Sequence, residues 1–71
     1  MHTRIRQMLA EIFDQLDDMR IDLWDVIDEY DDLIKYHPQK QFEEERERVM
    51  QLIELLSNAI ETFNREEGIT Q

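Results

Sequence analysis

The chain has 71 residues, enough for one domain at most, with a core too small to be secure without a disulfide, a metal or a partner chain. It has no Cys, which excludes disulfides and thiolate metal sites. Eighteen acidic residues against eight basic ones give a net charge of −10, which argues against direct binding to nucleic acid or an anionic membrane.

The start, MHTRIRQMLAEIF, has neither a long apolar region nor a small-residue cleavage site, so no secretory signal is expected. No apolar run approaches the length of a membrane span. The expected setting is the cytoplasm.

Pro38 and Gly68 are the single Pro and the single Gly. They leave two uninterrupted segments, 3–36 and 39–67. In the first, Ile5, Leu9, Ile12, Leu16, Met19, Leu23, Val26, Tyr30 and Leu33 follow spacings of four and three without a break. In the second, Phe42, Arg46, Val49, Ile53, Leu56, Ile60 and Phe63 do the same, with Arg46 the polar member. Heptad spacing of this kind predicts a narrow apolar seam on each of two α-helices.

His37 precedes Pro38 and is pushed out of the helical region, so the first helix should end there. Pro38 or Gln39 then opens the second helix, whose FEEERE start puts carboxylates near its positive end. Gly68 is the expected C-cap, with Arg65 in the last turn.

The predicted domain is therefore one all-α antiparallel hairpin over residues 1–71, coiled-coil-like, with helix 1 at about 3–36, a turn at about 37–38 and helix 2 at about 39–67. The seams pair with residue numbers totalling about 75: Val26 with Val49, Met19 with Leu56, Ile12 with Phe63. Phe13, Ile27 and Ile34 then widen one flank of helix 1, and Met8 lies on the other. Met50, Leu52, Leu55 and Ala59 add apolar surface on helix 2. Surplus of this kind predicts a second hairpin and a homodimeric four-helix bundle. In an ideal pair, however, the surplus of helix 1 and most of that of helix 2 fall on opposite flanks.

Between Glu11 and Asp32 stand ten carboxylates and one Arg, Arg20, and all eight Asp of the protein lie there. Asp is the poorer helix former by a few tenths of a kcal/mol, so helical stability alone would favour Glu. Asp14, Asp18, Asp22, Asp25, Glu29 and Asp32 step by four and three and form a stripe. One reading is an array of short carboxylates aimed at Lys and Arg of a protein partner; the plain alternative is a solvated face.

Ile21 and Trp24 fall outside the seam, one turn apart, among these carboxylates. An aromatic anchor with a polar rim is the makeup of a binding hot spot, and the competing reading is contact with the second chain of a dimer. The expected partner-binding residues are Asp18, Ile21, Asp22, Trp24, Asp25, Glu29 and Asp32. The expected function is a small acidic non-enzymatic regulator or inhibitor that binds a basic protein surface, without cofactor.

Residues 11–32 carry net −9 over roughly 33 Å, one charge per roughly 3.7 Å, against about one per 3.4 Å along a DNA strand. A DNA mimic occupying the groove of a basic protein is thus a second expectation.

Metal chemistry has less support. EEERE at 43–47 has E-E-x-x-E spacing, and Glu11/Asp14 and Glu29/Asp32 are E-x-x-D pairs. The pattern resembles that of the all-α nucleotide pyrophosphohydrolases, which implies Mg²⁺ held by facing carboxylates; the helix order here is the reverse of that family's. LSNAIETF at 56–63 resembles, at Ser57, Ile60 and Glu61, the core of the helical-hairpin phosphatases acting on aspartyl-phosphate regulators, but lacks their Gln, Glu and Asp. The hairpin is also similar to that of plasmid-encoded two-helix RNA regulators, whose basic RNA-binding face is missing here. His2 and His37 sit at a terminus and in the turn, and no phosphate-cradling Gly loop is possible with a single Gly at the tail.

Overall fold

In a computed structural model, which describes residues 2–69 and the side chains of 3–66, the chain is all-helical and contains no strand among the described residues. Helix α1 spans His2–Tyr36 and helix α2 spans Lys40–Ile69. The two pack side by side as a rod of 53 × 16 × 16 Å.

The turn follows from its residues. The His37 N–H donates to the Leu33 carbonyl at 2.7 Å, closing the last turn of α1 before Pro38 stops it. The Gln39 carbonyl then accepts from the N–H groups of Phe42 and Glu43, which makes Gln39 the residue that opens α2. Lys35 lies in the last turn of α1 and Glu43 in the first turn of α2, each with the sign that the helix dipole favours. At the far end, α2 continues through Gly68 to Ile69. Gly68 therefore does not cap the helix, contrary to the sequence expectation.

The antiparallel register shows in three contacts. Tyr30 meets Glu45, Phe13 stacks on Phe63, and Arg20 reaches Ser57, so facing residue numbers total 75 to 77. The seam of α2 lies where its spacing placed it: Ile53 and Ile60 are buried, and Phe42, Arg46, Val49, Leu56 and Phe63 are half-buried.

The seam of α1 is rotated by about 50° from the expected one, half the step between successive residues. Leu16, Leu23 and Tyr30 face α2 as expected. The second inward row, however, is Phe13, Arg20, Ile27 and Ile34, in place of Ile12, Met19 and Val26. Ile27 is 2% exposed and Val26 is 39% exposed. Val26, Met19 and Ile12, the expected partners of Val49, Leu56 and Phe63, are exposed, and Phe13 meets Phe63.

Arg20 can lie inward because its charge is met: its guanidinium donates to Asp17 and, at 3.4 Å, to the Ser57 hydroxyl. Its stem packs between the helices while its head reaches the edge. Arg46 behaves alike on α2, with Nε donating to Asp31 at 2.7 Å.

Among the described residues the buried side chains are Ile27, Ile53 and Ile60. Fully burying such a side chain is worth about 1.5–3 kcal/mol, so three of them give a hairpin little security on its own.

Candidate interaction surfaces

The rotation of α1 divides the hairpin into two unlike flanks. On one flank Tyr30 donates its hydroxyl to Glu45 at 3.0 Å. Leu52 and Ala59 continue the Glu45 row at heptad spacing, and Ile5, Ile12, Met19 and Val26 run beside the Leu16–Leu23–Tyr30 row of α1. Leu52, Leu55 and these four are all exposed, Leu55 by 68%. The apolar surplus of both helices therefore falls on the same side. The opposite-flank arrangement of an ideal pair is overturned, because Phe13, Ile27 and Ile34 have turned inward.

The other flank carries Asp17, Trp24 and Asp31 from α1 and Met50, Ser57 and Asn64 from α2. Arg20–Asp17 and Arg46–Asp31 lie along it. Near the open end of the hairpin this flank opens into a groove of about 840 Å³, lined by Arg6, Phe13, Asp17, Arg20, Ser57 and Phe63 among others. Small side chains, Ala10 and Ser57, leave that space.

The outer face of α1 is acidic. Asp18, Asp25 and Asp32 recur every seven residues on the row farthest from α2, and all three are exposed. Ile21 is 54% exposed and Trp24 45%. One turn separates them, so they form one apolar pair on the flank away from Met19 and Val26. Asp18 and Asp25 border Ile21 at helical spacings of three and four.

The expected set of seven does not form one patch. Ile21, Trp24, Asp18 and Asp25 come together, and Asp32 continues the outward row toward the turn. Asp22 and Glu29 point the other way, beside Met19 and Val26, because a two-residue step turns a helix by about 200°. Asp17 and Asp28, which the stripe omitted, stand next to the pair instead: Asp28 is one turn beyond Trp24, and Asp17 one turn before Ile21. Their spacing from Trp24 and Ile21 was the available signal.

The Tyr30 hydroxyl is raised above its ordinary value of 10.0, first by its hydrogen bond to the Glu45 carboxylate, then by burial and by that carboxylate's charge.

Among the described residues no group of three or more His, Cys, Asp or Glu side chains is placed to hold a metal ion. E-E-x-x-E faces solvent at Glu43, Glu44 and Glu47. The Ser57 hydroxyl in this groove is held by Arg20, and no general base stands beside it among the contacts described. No described helix is long and apolar enough to cross a membrane. Compared with known protein families, with curated proteins and with solved structures, the chain matches none.

Proposed function

We propose that the protein is a small non-enzymatic regulator or inhibitor of the cytoplasm that binds a basic surface of another protein and works as a homodimeric four-helix bundle. The observation that carries this reading is Trp24, half exposed beside Ile21 on a helix face otherwise made of carboxylates. Ile21 and Trp24 supply the apolar anchor, and Asp18, Asp25 and Asp28 supply a rim for Lys and Arg. Asp32 extends the rim; Asp22 and Glu29 add to the steering field without touching the anchor. Charge speeds the encounter and desolvation of the anchor sets residence time. Stiff, short Asp side chains suit this role because little rotamer freedom is lost on pairing.

The test is retention of proteins from a native extract on the immobilised full chain, compared with Trp24→Ala. The reading requires a retained set that Trp24→Ala loses while its self-association is unchanged. An identical retained set on both, or no retained protein, sinks it.

A second reading, a DNA mimic, is favoured by the net charge of residues 11–32, which along the axis of α1 is spaced at roughly 3.7 Å, near that of the phosphates of a DNA strand. It requires that duplex DNA compete with the chain for its partner. Binding that DNA does not displace rejects it.

A further inference from the structure

The flank built by Ile5, Ile12, Met19, Val26, Leu52 and Leu55 has a pattern that none of the partner-binding proposals uses. Met19 lies at the midpoint of α1, which runs from residue 2 to residue 36. Ile12 and Val26 stand one heptad to either side of it, and Ile5 and half-buried Leu33 stand two. The register that sets Phe13 on Phe63 and Arg20 beside Ser57 puts Leu55 and Ala59 on either side of the level of Met19, with Leu52 about one turn from Leu55 toward the hairpin turn. The apolar rows of both helices thus read the same in either direction along the rod. A two-fold symmetric contact needs a surface of this kind, since the same patch must complement itself.

We infer that this flank is the seat of a second copy of the chain, turned end for end, so that α1 lies on the partner's α1 and the two turns sit at opposite ends. The inference rests on the dimer reading above and assigns its interface. Three observations select this occupant. The pattern is self-complementary. Among the described residues the hairpin alone buries only Ile27, Ile53 and Ile60, so its cover must be present whenever the chain is folded, and another copy always is. The chain also carries −10, and two copies that meet through this face keep their Asp18–Asp25–Asp32 rows apart, with Asp22 and Glu29 at the border of the contact.

The end-for-end arrangement sets Met19 against the partner's Met19, Ile12 against the partner's Val26 and Ile5 against the partner's Leu33. Turns at the same end would instead lay α1 on α2 and press Leu33 toward Glu45 and Ile12 toward Glu66, apolar on charge. The row from Ile5 to Leu33 is about 42 Å long on a rod 16 Å wide, a face on the order of 700 Å², close to the roughly 800 Å² per partner of a standard interface. Ile21 and Trp24 lie on the other flank of each hairpin, so the bundle presents two separate partner sites facing away from each other.

The absence of Cys allows one to be introduced at a time. Light scattering on the unmodified chain reads its mass, and a short bismaleimide then reads proximity in Met19→Cys and, as a control, Trp24→Cys. Neighbouring helix axes in a bundle lie about 8–10 Å apart, within reach of that reagent. The expected result is a dimer in which Met19→Cys crosslinks at least ~10-fold faster than Trp24→Cys. Val26→Asp should weaken self-association by ~100-fold, and Trp24→Asp by less than about twofold. A chain that is monomeric at every concentration removes the dimer reading together with this interface. A dimer in which Met19→Cys crosslinks no faster than Trp24→Cys leaves the dimer standing and overturns the interface. A dimer in which Met19→Cys fails alone but crosslinks when combined with Ala59→Cys overturns the end-for-end arrangement. Met19→Cys keeps a small apolar side chain on the helix, so it remains decisive even where Val26→Asp does not fold.

Discussion

Phe13 and Phe63 stack with ring centroids 4.3 Å apart and planes within 2° of parallel. The contact ties α1 to α2 toward the open end of the hairpin, where no loop holds them together. Both rings are half-buried, so Phe63→Ala should cost about 2 kcal/mol, less than the ~3–5 kcal/mol of a fully buried Phe. A double-mutant cycle with Phe13→Ala, read by urea unfolding, should show a coupling of about 0.5–1.5 kcal/mol. Additive losses would mean that the rings do not hold the two helices together.

Val26 and Ile27 are neighbours in sequence with opposite surroundings, one exposed and one buried against α2. Ile27→Ala should cost about 2–5 kcal/mol of folding stability, and the chain should lose helix at any concentration. Val26→Ala should act through self-association, lowering the melting temperature mainly in dilute samples. Circular dichroism melts across a concentration series separate the two, and equal behaviour would contradict the rotated seam.

That rotation also marks where the sequence was legible and where it was not. The α2 seam could be read because one row, Arg46–Ile53–Ile60, and its companion, Phe42–Val49–Leu56–Phe63, have no rival of similar apolarity. Helix α1 offers two rivals on either side of Leu16, Leu23 and Tyr30. The unbroken row Ile5–Ile12–Met19–Val26–Leu33 looks more like core than Phe13–Arg20–Ile27–Ile34, which contains an Arg. Counting apolar residues chose the first. The structure takes the second because Arg20 finds Asp17 and Ser57, and because Phe13 finds Phe63. Ser57 at the level of Arg20 was the readable clue. The partner patch suffered for the same reason: a stripe counted by fours and threes joined Asp22 and Glu29 to Trp24, although they leave the helix on different sides.

Alkali should loosen the hairpin through Tyr30. Its hydroxyl titrates higher in the folded chain than in the unfolded one, because it donates to Glu45. The stabilisation is therefore complete below the unfolded value, about 10, and is lost as pH rises through the raised folded value. Between those two values wild-type stability should fall with pH more steeply than that of Tyr30→Phe. In Glu45→Gln the tyrosinate absorbance of Tyr30 should appear at lower pH than in wild type. Coincident alkaline curves for wild type and Tyr30→Phe would contradict the linkage.

Salt should act with opposite signs on assembly and on partner binding. Raising ionic strength from 0.1 M to 1 M shortens the Debye length from about 10 Å to about 3 Å. It screens the −10 charge of each chain, so the melting temperature and self-association should rise. Capture of a basic partner should weaken over the same range. A melting temperature that falls with salt would show that Arg20–Asp17 and Arg46–Asp31 outweigh the repulsion.

In the proposed binding mode Ile21 and Trp24 anchor a basic surface, and the carboxylates around them form its rim. Trp24 is the single Trp, so its fluorescence reports on that spot alone. The most direct measurement is a titration of the full chain with a helical peptide that carries Lys and Arg around one Leu. The expected result is a saturable blue shift of Trp24 emission at one peptide per chain, weakened by Asp25→Asn and Asp28→Asn and reversed by salt. Peptide binding that leaves Trp24 emission unchanged would contradict it.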